Sequence, residues 1–172
     1  MIYCDIQHCV GCRMCEVACS SFHFGAVSPA LSRIRVAKLE AIGIDMAVAC
    51  LSCLEKPCLE CPTDAATVGE KGEILLDEEL CIGCGACVEA CPIGAVGFYD
   101  EQALFCDLCN GAVVCVNVCP TSALSYRDEY RETSLKAFLQ SGGNLNEKRA
   151  QYARVQGEPI REAWQTGRRI DS

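Results

Sequence analysis

Apolar and polar positions along this chain form short bursts that suit short strands better than long elements. Ala65-Ala66-Thr67-Val68 and Glu73-Ile74-Leu75-Leu76 flank Gly69-Glu70-Lys71-Gly72, which predicts a hairpin with a glycine-bounded turn. The pattern recurs in Ala95-Val96-Gly97-Phe98-Tyr99, then Asp100-Glu101-Gln102, then Ala103-Leu104-Phe105. Ala123-Leu124-Ser125-Tyr126 reads as a similar strand. Arg33-Ile34-Arg35-Val36 and Ile44-Asp45-Met46-Ala47-Val48 read as a further pair. Beyond residue 127 the period changes. Leu135, Phe138 and Leu139 predict a short helix ended by Gly142-Gly143. Asn146 is the expected cap of a helix carrying Tyr152 and Val155. Pro159 is expected to open a last helix carrying Ile160, Ala163 and Trp164 and stopped at Gly167. No apolar run approaches the roughly 20 residues that span a bilayer.

Cysteine changes this picture most. The chain has 17 cysteines in 172 residues, and they cluster. Cys81, Cys84, Cys87 and Cys91 are followed by Pro92, the C-x2-C-x2-C-x3-C-P run of bacterial ferredoxins. In such a run the first three thiolates hold one [4Fe–4S] cube and the fourth serves another, so a second group is required. Three more are present: Cys9, Cys12, Cys15 and Cys19; Cys50, Cys53, Cys58 and Cys61, followed by Pro62; and Cys106, Cys109, Cys115 and Cys119, followed by Pro120. Sixteen cysteines match four cubes at four ligands each. Cys4 is the seventeenth and is expected to be a small packing residue. Tight two-residue gaps argue against a disulfide scaffold. Met1-Ile2-Tyr3-Cys4-Asp5 has no apolar leader character, so a soluble, reducing, cytoplasmic setting is expected.

The alternative chemistry is zinc. Cys50, Cys53, Cys58 and Cys61 alone could form a four-thiolate zinc knot, which would make the chain a zinc-structured interaction module. Beside three cubane-type groups, iron–sulfur is the preferred reading. His8 and His23 fall outside the ligand spacing and are read as packing or surface residues. Tyr3, Phe22, Phe98, Tyr99, Phe105 and Tyr126 are read as core, with shielding of clusters as the functional alternative. Arg13, Lys38 and Lys56 are read as solvated charge. No Ser/His/Asp set, phosphate loop or nucleotide fingerprint is found, so no catalytic residue is assigned. Residues 1–127 hold 7 Lys+Arg against 16 Asp+Glu, a net of −9, whereas residues 128–172 hold 8 against 7, a net of +1. That balance argues against nucleic acid, which needs a basic face.

The four groups, in this order, resemble the four-cluster ferredoxin subunits of molybdenum and tungsten oxidoreductases, of the dimethyl sulfoxide reductase beta-subunit type. Size and the polar tail look most similar to the small electron-transfer subunit of tungsten aldehyde oxidoreductases. The resemblance implies an α+β fold of two nested bacterial-ferredoxin-like units, with short strands and short helices around paired [4Fe–4S] clusters, plus a helical C-terminal extension. Residues 1–127 would be the four-cluster domain, its outer unit about 1–46 with 99–127 and its inner unit about 47–98. Residues 128–172 would serve docking or self-association, with Phe138 and Trp164 as anchors. The implied ligand sets are Cys9, Cys12, Cys15 with Cys119; Cys106, Cys109, Cys115 with Cys19; Cys50, Cys53, Cys58 with Cys91; and Cys81, Cys84, Cys87 with Cys61. Cys61 follows its predecessor by x2 where the family usually has x3. The implied function is non-catalytic electron relay between a molybdenum or tungsten catalytic subunit and a further redox partner, such as a flavin- or NAD-linked subunit. A formate dehydrogenase, hydrogenase or carbon monoxide dehydrogenase complex is the alternative setting, as is a free polyferredoxin. Neither nucleic acid nor direct membrane insertion is expected.

Overall fold

The computed structural model describes residues 1–127, 135–139 and 142–167. It is an α+β structure. Its strands form four two-stranded antiparallel ladders among the described residues. β1 (Ile2–Cys4) pairs with β8 (Leu124–Tyr126), which closes the two ends of the cysteine-rich region on each other. β2 (Arg35–Leu39) pairs with β3 (Ile44–Val48), β4 (Ala66–Val68) with β5 (Ile74–Leu76), and β6 (Gly97–Tyr99) with β7 (Gln102–Leu104). The three expected hairpins form, each within a few residues of the expected bounds. The partner of β8 lies more than a hundred residues away, so local pattern gave no sign of it.

Helices carry the cysteines. α1 (Met14–Phe24), α2 (Ala86–Ala90) and α3 (Val114–Asn117) each follow a cysteine loop. Their N-cap residues, Arg13, Gly85 and Val113, all adopt the left-handed conformation that turns a loop sharply into a helix. Packing divides into two apolar clusters. One gathers Ile2, Cys15, Cys19, Ile34, Leu108, Cys115 and Leu124. The other is larger and gathers Ile44, Val48, Cys58, Ile74, Cys91, Ile93, Phe105 and Tyr152 among others. In both, cysteine sulfur is part of the buried apolar surface.

The C-terminal region departs from expectation. Two helices divided at Pro159 were expected, capped at Asn146. Instead α4 (Leu145–Gln165) is continuous, with Pro159 inside it. Asn144 is the cap, in a reciprocal capping box with Glu147. Pro159 sits on the exposed face, where the carbonyl that loses its partner can turn to water. The opposite face is held along its length. Gly157 presses on Ile44, where a Cβ would lie 2.8 Å from Ile44 Cγ2. Lys148 Nζ donates to the Glu89 and Cys91 carbonyls at 2.5 and 3.3 Å. Lys136–Phe138 forms a 3-10 turn, and Phe138 packs edge-on against Tyr152 at 5.3 Å. The region thus packs on its own domain; of the two expected anchors, Phe138 is buried and Trp164 is 40% exposed. No described helix is long and apolar enough to cross a membrane.

Candidate metal centre

Each cysteine group wraps a tight loop and then enters a helical turn. Cys15 and Cys19 lie one turn apart on α1. Cys115 lies in α3 with Cys119 just beyond. Cys87 lies in α2 with Cys91 at its end, and Cys58 lies in the 3-10 turn Pro57–Leu59. α1 packs on α3, and α2 packs on that 3-10 turn. The groups therefore meet in pairs, the first with the fourth and the second with the third.

The sulfurs meet across those pairs. Burial pushes the Cys50 thiol up to about 12, with Cys91, Cys58 and Cys53 adding to it. Burial also raises Cys58 to about 12, again with Cys91 as its largest thiol influence. Cys50, Cys53, Cys58 and Cys91 line one cavity, closed by Pro57, Pro92, Ile93 and Leu135. Cys87 is raised to about 11 by burial, then by Cys61 and Cys81. The short spacing of Cys61 therefore still brings it to the third group. Burial raises Cys106 and Cys115 to about 12, and Cys19 acts on both and on Cys109. Cys106 also feels Cys50, so the fourth and second groups are neighbours in the interior. Cys15 is raised to about 12 by burial, then by Glu16, Cys115 and Cys9. Cys119 follows α3, its sulfur 3.8 Å from the Thr121 hydroxyl. Cys12 and Cys84 are the two exposed cysteines.

None of the seventeen cysteines is in a disulfide. Buried thiols that make one another harder to ionise are unfavourable by themselves, whereas a cationic metal centre reverses the sign. Soft thiolate sets select iron–sulfur clusters or zinc. Polar hydrogens are already aimed at sulfur. Arg33 N donates to Cys19 at 3.3 Å, Ser52 N to Cys50 at 3.4 Å and Ala95 N to Cys91 at 3.2 Å. The Thr63 hydroxyl lies 3.5 Å from Cys61, and chiefly for that reason the Cys61 thiol is lowered. At Cys119 burial pushes upward, but the Leu124, Thr121 and Ala123 amides and the Thr121 hydroxyl together outweigh it. The residues present thus fit thiolate-bound clusters.

Three side chains near the centres carry no local sequence signal. His23 Nε2 lies 3.6 Å from Cys109 Sγ and 3.4 Å from Asp107 Oδ1. Arg33 pairs with Asp107 at 2.6 Å, and Asp107 accepts from Cys109 N at 2.9 Å. The 86 positions between His23 and Cys109 hide this contact from any reading of spacing. His8, by contrast, makes an exposed pair with Asp5 at 2.7 Å. Cys4 packs against both apolar clusters, and its sulfur also accepts Ala47 N–H at 3.4 Å. Its neighbour Cys4 lowers the Cys9 thiol, with the Gly11 and Ala47 amides acting in the same direction. Of the aromatics expected in the core, Phe105 is buried, while Phe22, Phe98 and Tyr99 are exposed.

Residues 74–96, which contain Cys81, Cys84, Cys87 and Cys91, match the family described as "4Fe-4S binding domain". This places 4Fe–4S binding in the chain. Among curated relatives, the "Aliphatic sulfonate oxidoreductase, polyferredoxin-like subunit" of Pyrococcus furiosus is 51% identical over 86 residues, 49% of each chain. The "Formate dehydrogenase iron-sulfur subunit" of Wolinella succinogenes is 38% identical over 99 residues, 56% of this chain and 50% of that one. The chain thus spans about half the length of these relatives. A chain of the "Active site complex BamBC of Benzoyl Coenzyme A reductase in complex with Zinc" aligns with 30% identity and a TM-score of 0.47, covering 80% of this chain and 83% of that one.

Proposed function

We propose that this chain is a non-catalytic electron-transfer subunit that holds four [4Fe–4S] clusters and relays electrons between a catalytic oxidoreductase subunit and a further redox partner. One observation carries the reading: in three of the four groups the fourth cysteine acts electrostatically on cysteines of the paired group. Cys91 faces Cys50, Cys53 and Cys58; Cys61 faces Cys87; Cys19 faces Cys106, Cys109 and Cys115. A zinc knot would use the four cysteines of one group. The ligand sets we propose are those the resemblance implies, Cys119 completing the set of Cys9, Cys12 and Cys15. The inner and outer units are proposed with the bounds given above.

Bound there, the clusters supply outer-sphere one-electron transfer. The chain's own residues fix the thiolates, aim amides and hydroxyls at sulfur, and exclude water. The electrostatic influence of Cys50 on Cys106 supports a continuous interior path. Cys12 and Cys84 are exposed beside Val10 and Ile82, 58% and 67% exposed, and are the proposed points of entry and exit. The names of the relatives support a place in an oxidoreductase complex. A molybdenum or tungsten catalytic subunit is the proposed partner, of the aldehyde- or sulfonate-oxidising kind, in the cytoplasm. Iron and acid-labile sulfide analysis of the anaerobically purified chain tests the reading. About 16 of each per chain is expected, and stoichiometric zinc without sulfide would overturn it. Co-purification then tests the partner.

A further inference from the structure

A basic pocket of about 370 Å³ lies where α1, β2 and α4 meet. Its polar lining is Arg13, Glu16, Arg35, Lys38, Asn146 and Arg149. Four cations thus face one carboxylate on a chain whose net charge is −8. Arg13 and Lys38 are exposed at the mouth, and Lys38 lies 3.7 Å from Asp45. Glu16 and Arg149 form the floor, at 2% and 5% exposure.

Both floor residues are incompletely matched. Arg149 donates from Nε to the Gly94 carbonyl at 2.7 Å and from NH1 to Asn146 Oδ1 at 3.1 Å. These acceptors are neutral, and a guanidinium has five N–H groups, so three remain. Burial and then the neighbouring Arg35 lower Arg149 to about 10, so it is charged at neutral pH. Glu16 Oε1 accepts from Val36 N at 2.7 Å and faces Arg35 Nε at 3.7 Å. Its other oxygen, Oε2, is buried without a hydrogen-bond partner. A buried acceptor left unmade is destabilising, and Glu16, the one carboxylate acting on Arg149, is already shared with Arg35.

A ligand that satisfies both must be an oxyanion and must also donate one O–H. We infer that this pocket binds inorganic hydrogen phosphate, its charged oxygens on Arg35 and Arg149 and its hydroxyl donating to Glu16 Oε2. Guanidinium forks suit tetrahedral oxyanions. Sulfate has the same shape but no proton at neutral pH. A phosphate monoester, with a second pKa near 6, is mostly without one at pH 7.5. The site spans the body and α4, so occupation ties the C-terminal helix to the first cysteine loop.

Titration calorimetry of the full, cluster-loaded chain at pH 7.5 and constant ionic strength tests this. Inorganic phosphate is expected to bind at least tenfold more tightly than sulfate or methyl phosphate. Glu16→Gln replaces the free acceptor with a donor and is expected to close the gap to sulfate. Arg35→Gln, on the half-exposed wall, is expected to weaken phosphate about tenfold or more while the visible cluster absorbance is unchanged. Absence of phosphate binding, equal binding of the three anions, or a Glu16→Gln chain that keeps the preference each overturns the inference. If Glu16→Gln fails to fold, the parent chain's preference and Arg35→Gln decide it, and phosphate affinity unchanged in Arg35→Gln likewise overturns it.

Discussion

The second and third cysteine groups pack on each other through α2 and the Pro57–Leu59 turn but are built differently. The third, Cys81–Cys91, is regular in sequence and open to solvent: Cys84 is exposed and Ile82 is 67% exposed. The second, Cys50–Cys61, is irregular and covered. Leu135 closes the cavity of Cys50, Cys53 and Cys58, and Phe138 and Tyr152 pack behind it. Regular spacing therefore reports how a loop wraps and says nothing about what lies over it. The cover comes from the C-terminal region, more than seventy residues downstream. In the proposed pairing, one centre is open to solvent at Cys84 and the other is insulated.

The sharpest way to break this comparison is to remove one cysteine from each side. Cys91→Ala belongs by sequence to the open group but lies against the covered one. It is expected to lose about four of roughly 16 irons. The thiols then labelled by iodoacetamide, read by mass spectrometry, should be Cys50, Cys53 and Cys58. Cys84→Ala should lose the same amount of iron and expose Cys81, Cys87 and Cys61. Labelling of Cys81, Cys84 and Cys87 in Cys91→Ala would mean that each run closes on itself.

A second contrast lies inside the open loop. Gly83 and Gly85 both have positive φ, +65 and +74. Beside Gly85 there is open space, whereas a Cβ at Gly83 would run into the Glu101 carbonyl of the β6–β7 turn. Asp100 and Glu101 both have positive φ in that two-residue turn, which is the type I′ geometry without its usual Asn-Gly. Gly83→Ala thus adds overpacking to backbone strain and should cost about 2–5 kcal/mol. Gly85→Ala should cost only about 1–2 kcal/mol. Chemical denaturation of the anaerobic chains separates the two.

These positions also show what the sequence made legible. The C-x2-C-x2-C spacing announced the loops, and the Gly and Pro signals bounded the hairpins, because both are short-range constraints. The spacing of Cys61 did not reveal whether it reaches the third group. That depends on the packing of α2 against Pro57–Leu59, a contact between segments thirty residues apart. The neighbours of Cys4 and His23 were hidden for the same reason: β1 pairs with β8 and α1 packs on α3 only in three dimensions. Pro159 misled in the other direction. A local helix breaker was overridden by anchoring through Lys148, Arg149 and Gly157 along the buried face of α4.

The cover itself can be titrated. Burial raises Tyr152 to about 12 from its usual 10. The unfolded chain therefore ionises first as pH rises. Stability from Tyr152 is fully present below about pH 10 and is lost between about 10 and 12, by about 2–3 kcal/mol at the upper end. Arg149, lowered to about 10, titrates in the same window with the opposite sign. The informative quantity is thus the difference between the parent chain and Tyr152→Phe. Urea unfolding at pH 9 and pH 11.5 should show that difference appear only at the higher pH. A gap independent of pH would mean that the hydroxyl is not held in a water-poor site.

The smallest effect compares how the two sides hold their crossing sulfur. Cys61 of the covered group has the Thr63 hydroxyl at 3.5 Å, whereas Cys91 of the open group has only an amide, Ala95 N, at 3.2 Å, because Ile93 stands where Thr63 does. A hydrogen bond to sulfur stabilises the more negative, reduced state. Thr63→Val removes one such bond and keeps the shape. At about 0.5–1.5 kcal/mol per bond, one cluster potential should fall by roughly 20–65 mV, taking 59 mV per tenfold change. Ile93→Thr is the converse and should raise the potential of the other inner centre by a similar amount. Because Cys61 lies against Cys87 and Cys91 against Cys50, Cys53 and Cys58, Thr63→Val should shift the solvent-open centre and Ile93→Thr the covered one. A redox titration followed by electron paramagnetic resonance, with a paramagnetic relaxant added to mark the open centre, reads which one moved. The reverse assignment would mean that sulfur at 61 and 91 stays within its own group.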